Sequence, residues 1–159
     1  MGSIIQEIES TVDAKRLWKV FRDEGSIILM KRAADIFKSI TSLKGEGGVG
    51  SIKQINFTPE IEDSSWLKLK LEEVDEENFG HRYSHVEGGL LGLKVSPATY
   101  EFKFTPKAEG GCVFSYVAHF DSLPGDPEDE EKVKEIKEMI IILFKKIEAY
   151  LIDNPDLYC

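Results

Sequence analysis

Two spacings of apolar residues divide this chain. From Ser51 to Phe120 apolar side chains recur at every second position, and from Val133 to Leu151 at every third or fourth. A period of two places side chains on alternate faces of a strand, and a period of 3.6 places them along one stripe of a helix. The run Ser51 to Phe57 stops before Pro59. Leu67, Leu69 and Leu71 alternate with Lys68, Lys70 and Glu72. Phe79, His81, Tyr83 and His85 share one parity, as do Tyr100, Phe102 and Phe104, and then Phe114, Tyr116, Ala118 and Phe120. Asp75 to Asn78, Glu87-Gly88-Gly89 and Glu109-Gly110-Gly111 supply turns between them. Half-buried strands joined by tight turns predict an antiparallel meander, curved enough to have an inside.

The flanks complete the pattern. Ser3 to Val12 alternates weakly and predicts a strand entering the core. Asp13 suits a helix N-cap, Leu17, Val20 and Phe21 follow at helical spacing, and Gly25 suits a stop. A second short helix is expected over Ser26 to Ala34. From Pro127 the acidic run Glu128 to Glu131 sits where a helix dipole favours negative charge. Val133, Ile136, Ile140, Leu143, Phe144, Ile147 and Leu151 form the stripe, and Asn154-Pro155 ends it. That predicts a helix of about 25 residues, roughly 37 Å long. The expected class is α+β: a curved antiparallel sheet gripping a long C-terminal helix, with two short helices at one end.

With 159 residues, 42% hydrophobic and 31% charged, the chain suits one domain over 1–159 that folds without disulfides. Lys and Arg number 20 against 29 Asp and Glu, a net charge of −9, which opposes duplex nucleic acid and anionic membranes. The longest apolar run, Met139 to Phe144, is far short of a membrane span. The first residues show no signal-peptide pattern, and Met1-Gly2-Ser3 is half of a myristoylation motif, with Gln at position 6. Asn56-Phe57-Thr58 is an acceptor motif for glycosylation only in a secreted chain. Cys112 and Cys159 make no disulfide framework. A cytoplasmic monomer with reduced thiols is expected.

Candidate chemistry is sparse. Gly45-Glu46-Gly47-Gly48-Val49-Gly50 satisfies G-x-G-x-x-G, but a strand follows it where a dinucleotide site needs a helix. A glycine-rich hairpin turn, with occasional anion contact, is the expectation. His81 and His85, four apart on a strand, stand about 13 Å from each other, too far to share a metal. Both are expected to point inward beside Tyr83 as hydrogen-bonding groups, with acid–base work by His81 or Tyr83 as the alternative. His119 has the opposite parity and is expected to be exposed. No Ser-His-Asp or Cys-His set is supported, and no cofactor or metal is expected. Phe57, Tyr83, Tyr100, Phe102, Phe114, Tyr116 and Phe120 all fall on inward positions. Residue types alone leave a solid core and a ligand cavity equally open.

The run Gly45 to Phe57 resembles the glycine-rich loop of the plant class-10 pathogenesis-related proteins, the superfamily of the birch major pollen allergen. Val74-Asp75 through Asn78-Phe79, then Tyr83-Ser84 and Val86 to Gly89, is similar to that family's following segment, and Ile147 to Leu151 with Asn154-Pro155 and Tyr158 fits its ending. The resemblance covers nearly the whole chain in order. It implies the helix-grip, START-like fold: seven antiparallel strands, two short helices in a V and a long C-terminal helix over a large cavity. It also implies binding of amphipathic plant hormones, flavonoids or other specialised metabolites, linked to stress and defence.

The lining expected on that basis is Leu29, Phe37, Ile55, Phe57, Leu67, Leu69, His81, Tyr83, His85, Tyr100, Phe102, Phe114, Tyr116, Met139 and Ile140. The glycine-rich loop would contribute Gly45, Gly47, Gly48 and Gly50 with Lys53. The ribonuclease activity attributed to the family would use Lys53, Glu148 and Tyr150, although the acidic charge opposes RNA. The fold is also shared by abscisic acid receptors, whose gate and latch motifs are missing here. Norcoclaurine synthases share it too and use a pocket lysine, but Val113 to Phe120 contains none. His81 stands where relatives commonly carry an aromatic ring, which would make the pocket more polar. The bulky run Met139 to Phe144 would narrow it.

Overall fold

The computed structural model describes residues 2–23, 25–45, 48–58, 66–88, 97–121 and 127–157. Its elements in chain order are β1 (Gly2–Ser10), α1 (Ala14–Asp23), α2 (Gly25–Arg32), β2 (Phe37–Lys44), β3 (Ile52–Phe57) and β4 (Trp66–Asp75). Then come β5 (Gly80–Gly88), β6 (Thr99–Pro106), β7 (Cys112–Phe120) and α3 (Pro127–Asp153). The seven strands form one antiparallel sheet in the order β1-β7-β6-β5-β4-β3-β2. The first strand therefore closes against the last, and the remainder is a meander. Register shifts between Phe37 and Ser39, Ser42 and Lys44, Lys68 and Leu69, and Leu71 and Glu73 mark irregularities that bend such strands.

Strand β7 alternates strictly between buried and half-buried residues along its length, and in β4 Leu67, Leu69 and Leu71 are buried. Strand β2 was not legible as a strand in its own right: Phe37-Lys-Ser-Ile-Thr-Ser-Leu-Lys44 is buried only at Phe37. It is the sheet's edge, and little apolar area on either face reveals its period. Phe79, expected on β5, instead sits in the preceding turn with φ of 53°. There Asp75 Oδ1 accepts from the Asn78 N–H at 3.1 Å, and the Phe79 ring packs on Trp18 at 5.6 Å.

Helix α1 buries Ala14, Leu17, Trp18 and Val20. Helix α3 buries Ile136, Phe144, Ile147 and Leu151 on the face toward the sheet. Phe21, Phe104, Phe114 and Phe144 join α1, β6, β7 and α3 in one aromatic cluster, with Phe114 and Phe144 stacked at 4.8 Å. At the C-terminal end of α3, Arg16 donates to the carbonyls of Leu151, Asn154 and Leu157 at 3.0–3.2 Å. These acceptors lie at the last turn and just beyond it, where carbonyls lack intrahelical partners.

Candidate ligand pocket

Between the concave face of the sheet and α3 lies a pocket of about 170 Å³. A single water needs roughly 10–15 Å³ by that measure. Helix α3 supplies Ile136, Met139, Ile140, Leu143, Phe144 and Ile147 to one wall. The sheet supplies Phe37 and Ile40 from β2, Lys53, Ile55 and Phe57 from β3, and Leu67 and Leu69 from β4. His81 and Tyr83 come from β5, Tyr100 and Phe102 from β6, and Phe114 and Tyr116 from β7. Phe21, Gly25, Ser26 and Leu29 close the end at the helix pair. Strand periodicity explains the choice: 53, 55 and 57, 67 and 69, 81 and 83, and 114 and 116 are inward pairs or triples of one parity.

His81 is 5% exposed, and neither ring nitrogen has a hydrogen-bond partner among the described residues. Its ring stacks on Tyr83 at 6.3 Å and meets Trp18 at 5.9 Å. Burial, with help from the positive charges of Lys53 and Arg22, pulls its pKa down from 6.5 to about 4. At neutral pH the ring is therefore uncharged and offers one N–H donor and one lone pair. The Tyr100 hydroxyl is likewise buried without a partner, and burial pushes its pKa above the usual phenol value. Tyr116 is shifted in the same direction by burial and by Tyr100. The Lys53 ammonium lies 4.7 Å from the centre of the Tyr83 ring.

Residues 1–154 match the model of the Pathogenesis-related protein Bet v 1 family. The chain belongs to this family. It is 36% identical to the major strawberry allergen Fra a 1.07 of Fragaria ananassa, covering 99% of both chains. It is 33% identical to the major pollen allergen Bet v 1-C of Betula pendula, again over 99% of each. Among solved structures it resembles Ara h 8.0201, with TM-score 0.69 and 23% identity over 96% of this chain and 98% of that one. It also resembles norcoclaurine synthase from Thalictrum flavum in complex with dopamine and hydroxybenzaldehyde, with TM-score 0.73 and 24% identity over 96% of this chain and 87% of that one. Identities this low in the structural matches speak for the fold alone.

Of the residues expected around a cavity, His85 is the one the structure leaves outside the lining. Near the end of β5 its Nε2 donates to the Gly88 carbonyl at 2.7 Å, so the backbone already uses the ring's N–H. His119, expected to be exposed, is half-buried on the outer face, with Nε2 3.0 Å from Glu101 Oε2. The glycine-rich segment joins β2 to β3 as a hairpin connection. Gly45 and Gly50 take φ of 81° and 91°, in the left-handed region that favours glycine, and the Gly50 N–H donates to the Leu71 carbonyl at 2.7 Å. Gly47 lies outside the described residues.

The three residues marked for ribonuclease chemistry make separate contacts. Lys53 lies over Tyr83, Glu148 pairs with Lys145 at 3.2 Å, and the Tyr150 ring lies under Arg32 at 5.3 Å. Cys112 is a buried free thiol that burial pushes up to about 11, the opposite of an activated nucleophile. Among the described residues no cluster of three or more His, Cys, Asp or Glu side chains could hold a metal, and no helix is long and apolar enough to cross a membrane.

Sequence reasoning missed Lys53 as a pocket residue, having placed it with the glycine-rich loop. Its parity with Ile55 and Phe57 was the available signal. It also left Phe21, Ile40, Ile136, Leu143, Phe144 and Ile147 out of the expected lining, although the last four belong to the helical stripe. Gly25 and Ser26 gave no signal, because their place follows from where α2 docks.

Proposed function

We propose that this protein binds an amphipathic small molecule in the pocket, as a carrier or store for a plant hormone, flavonoid or other specialised metabolite. The observation that carries this reading is the pairing of an apolar wall with orphaned polar groups at His81 and Tyr100. Buried polar groups without partners are costly, and a guest that supplies those partners recovers that cost while burying its own apolar surface. The family's description as pathogenesis-related favours a role in defence or stress. A cytoplasmic setting agrees with a free, buried thiol at Cys112.

A second reading is a metabolic enzyme that cyclises, isomerises or condenses its guest. One observation favours it: an amine, a phenol and an imidazole (Lys53, Tyr83 and His81) share the pocket. Native mass spectrometry of protein purified from its own tissue tests the first reading by showing the bound species. Incubation of that metabolite with the wild type and with His81→Ala then separates the two. Saturable binding without product supports the carrier, and turnover lost in His81→Ala supports the enzyme.

A further inference from the structure

The polar groups of the pocket are unequal in what they ask of a guest. Lys53 is the charged member of the lining among the described residues, and no aspartate or glutamate lines the pocket there. On the outer side of β4, Lys68 and Lys70 hold Glu87 and Glu72 at 3.1 and 3.8 Å. Lys53, paired in register with Leu69 and turned inward, has only the face of Tyr83 as its described contact. A ring quadrupole compensates an ammonium weakly, so the half-buried Lys53 keeps N–H donors to offer a guest. Nearby, Tyr100 holds an unused O–H, and neutral His81 holds an unused N–H beside one lone pair. The site is rich in donors, carries one positive charge and is walled by apolar side chains.

We propose that the guest is an organic acid: an apolar body bearing one anionic oxygen group, such as a carboxylate, seated against Lys53. This rests on the pocket-binding reading above. An anion there gains a charge-assisted hydrogen bond in a medium less polarisable than water, whereas an amine meets like charge and finds few acceptors. The whole molecule works against the preference, because a net charge of −9 repels anions at long range. Selectivity for an acid must therefore arise locally, and Lys53 is the local source.

A matched pair of fluorescent probes tests this: 1-anilinonaphthalene-8-sulfonate and N-phenyl-1-naphthylamine, which has the same ring skeleton without the anion. Both are titrated at pH 7 into the wild type, Lys53→Met and Lys53→Arg, with Lys53→Gln as a second neutral variant should Lys53→Met misfold. Removing the charge is expected to shift the ratio of the two dissociation constants about tenfold against the sulfonate, while arginine keeps the wild-type ratio. A shift of threefold or more in the neutral variants supports the proposal. A smaller shift, with the neutral probe still bound, overturns the organic-acid proposal and leaves the pocket reading intact. Failure of the wild type to bind either probe overturns the pocket reading and this proposal with it.

Discussion

The two halves of the interior are built from the same kinds of side chain and end differently. Where α1 crosses β6 and β7, Phe21, Phe104, Phe114 and Phe144 fill the space between sheet and helix, with ring centres 4.8–6.3 Å apart. Toward β2, β3 and β4, Met139, Ile140 and Leu143 of α3 share the lining with Ile40, Ile55, Leu67 and Leu69, no ring contact joins helix to strand there among the described residues, and the pocket remains. Strand β7 has every second residue buried, whereas β3 is half-buried at every position until Phe57. The lesson is that apolar composition does not decide between a solid and a hollow interior. The decision lies in what a third element carries into the gap: α1 brings the ring of Phe21 between α3 and β6–β7, whereas α2, which touches both α3 and β2, lines the pocket with Gly25, Ser26 and Leu29.

Truncating one side chain in each half tests whether they are packed differently. Phe104→Ala, at a site with no exposure, is expected to cost about 3–5 kcal/mol, whereas Ile140→Ala on the pocket wall is expected to cost about 1 kcal/mol. Urea unfolding midpoints measure both, and equal losses would mean the two halves are packed alike. The next effect is a pH dependence. The folded-state pKa of His81, about 4, lies below its ordinary 6.5, so the unfolded chain takes up that proton first. Stability should therefore fall as pH drops from about 6.5 to about 4, by about 3 kcal/mol from this group alone. His81→Phe should remove that component. Carboxylates titrate in both proteins, so the difference between the two pH profiles isolates His81.

A smaller effect belongs to the closed end. Arg16→Ala removes a guanidinium donor from three carbonyls, two of which keep a backbone N–H partner, and should cost about 1–2 kcal/mol by the same unfolding measurement. At the opposite extreme, Gly48→Ala in the β2–β3 connection should change stability by less than about 0.5 kcal/mol, since an added Cβ there meets nothing within 4 Å. A large loss at Gly48 would show that this connection is packed, contrary to the open surface seen around it.

Legibility followed packing. Strands β4 and β7 declared themselves because one face is buried and the other wet, so Leu67-Leu69-Leu71 and Phe114-Tyr116-Ala118 read as clear alternations. Strand β2, an edge, carries no such signal, and the seventh strand came only from resemblance to the family. At the pocket, parity put Tyr83, Phe102 and Tyr116 on the inner side, and all three are among the lining residues. It also pointed to His85, which a local hydrogen bond to the Gly88 carbonyl engages and which does not line the pocket. Lys53 was lost for a different reason: it was grouped with the glycine-rich loop, although it shares the parity of Ile55 and Phe57 and lines the pocket with them.

The pairing of β1 with β7 has a consequence for how the molecule comes into being. Gly2 faces Phe120 across the sheet, and Arg16 waits for carbonyls from residues 151 to 157. On a ribosome the opening segment emerges more than a hundred residues ahead of the strand that receives it. Contacts so distant along the chain close slowly. Until residues 112–120 are made, residues 2–10 lack their partner in the sheet, and the acidic Glu7 and Glu9 among them disfavour pairing with other chains.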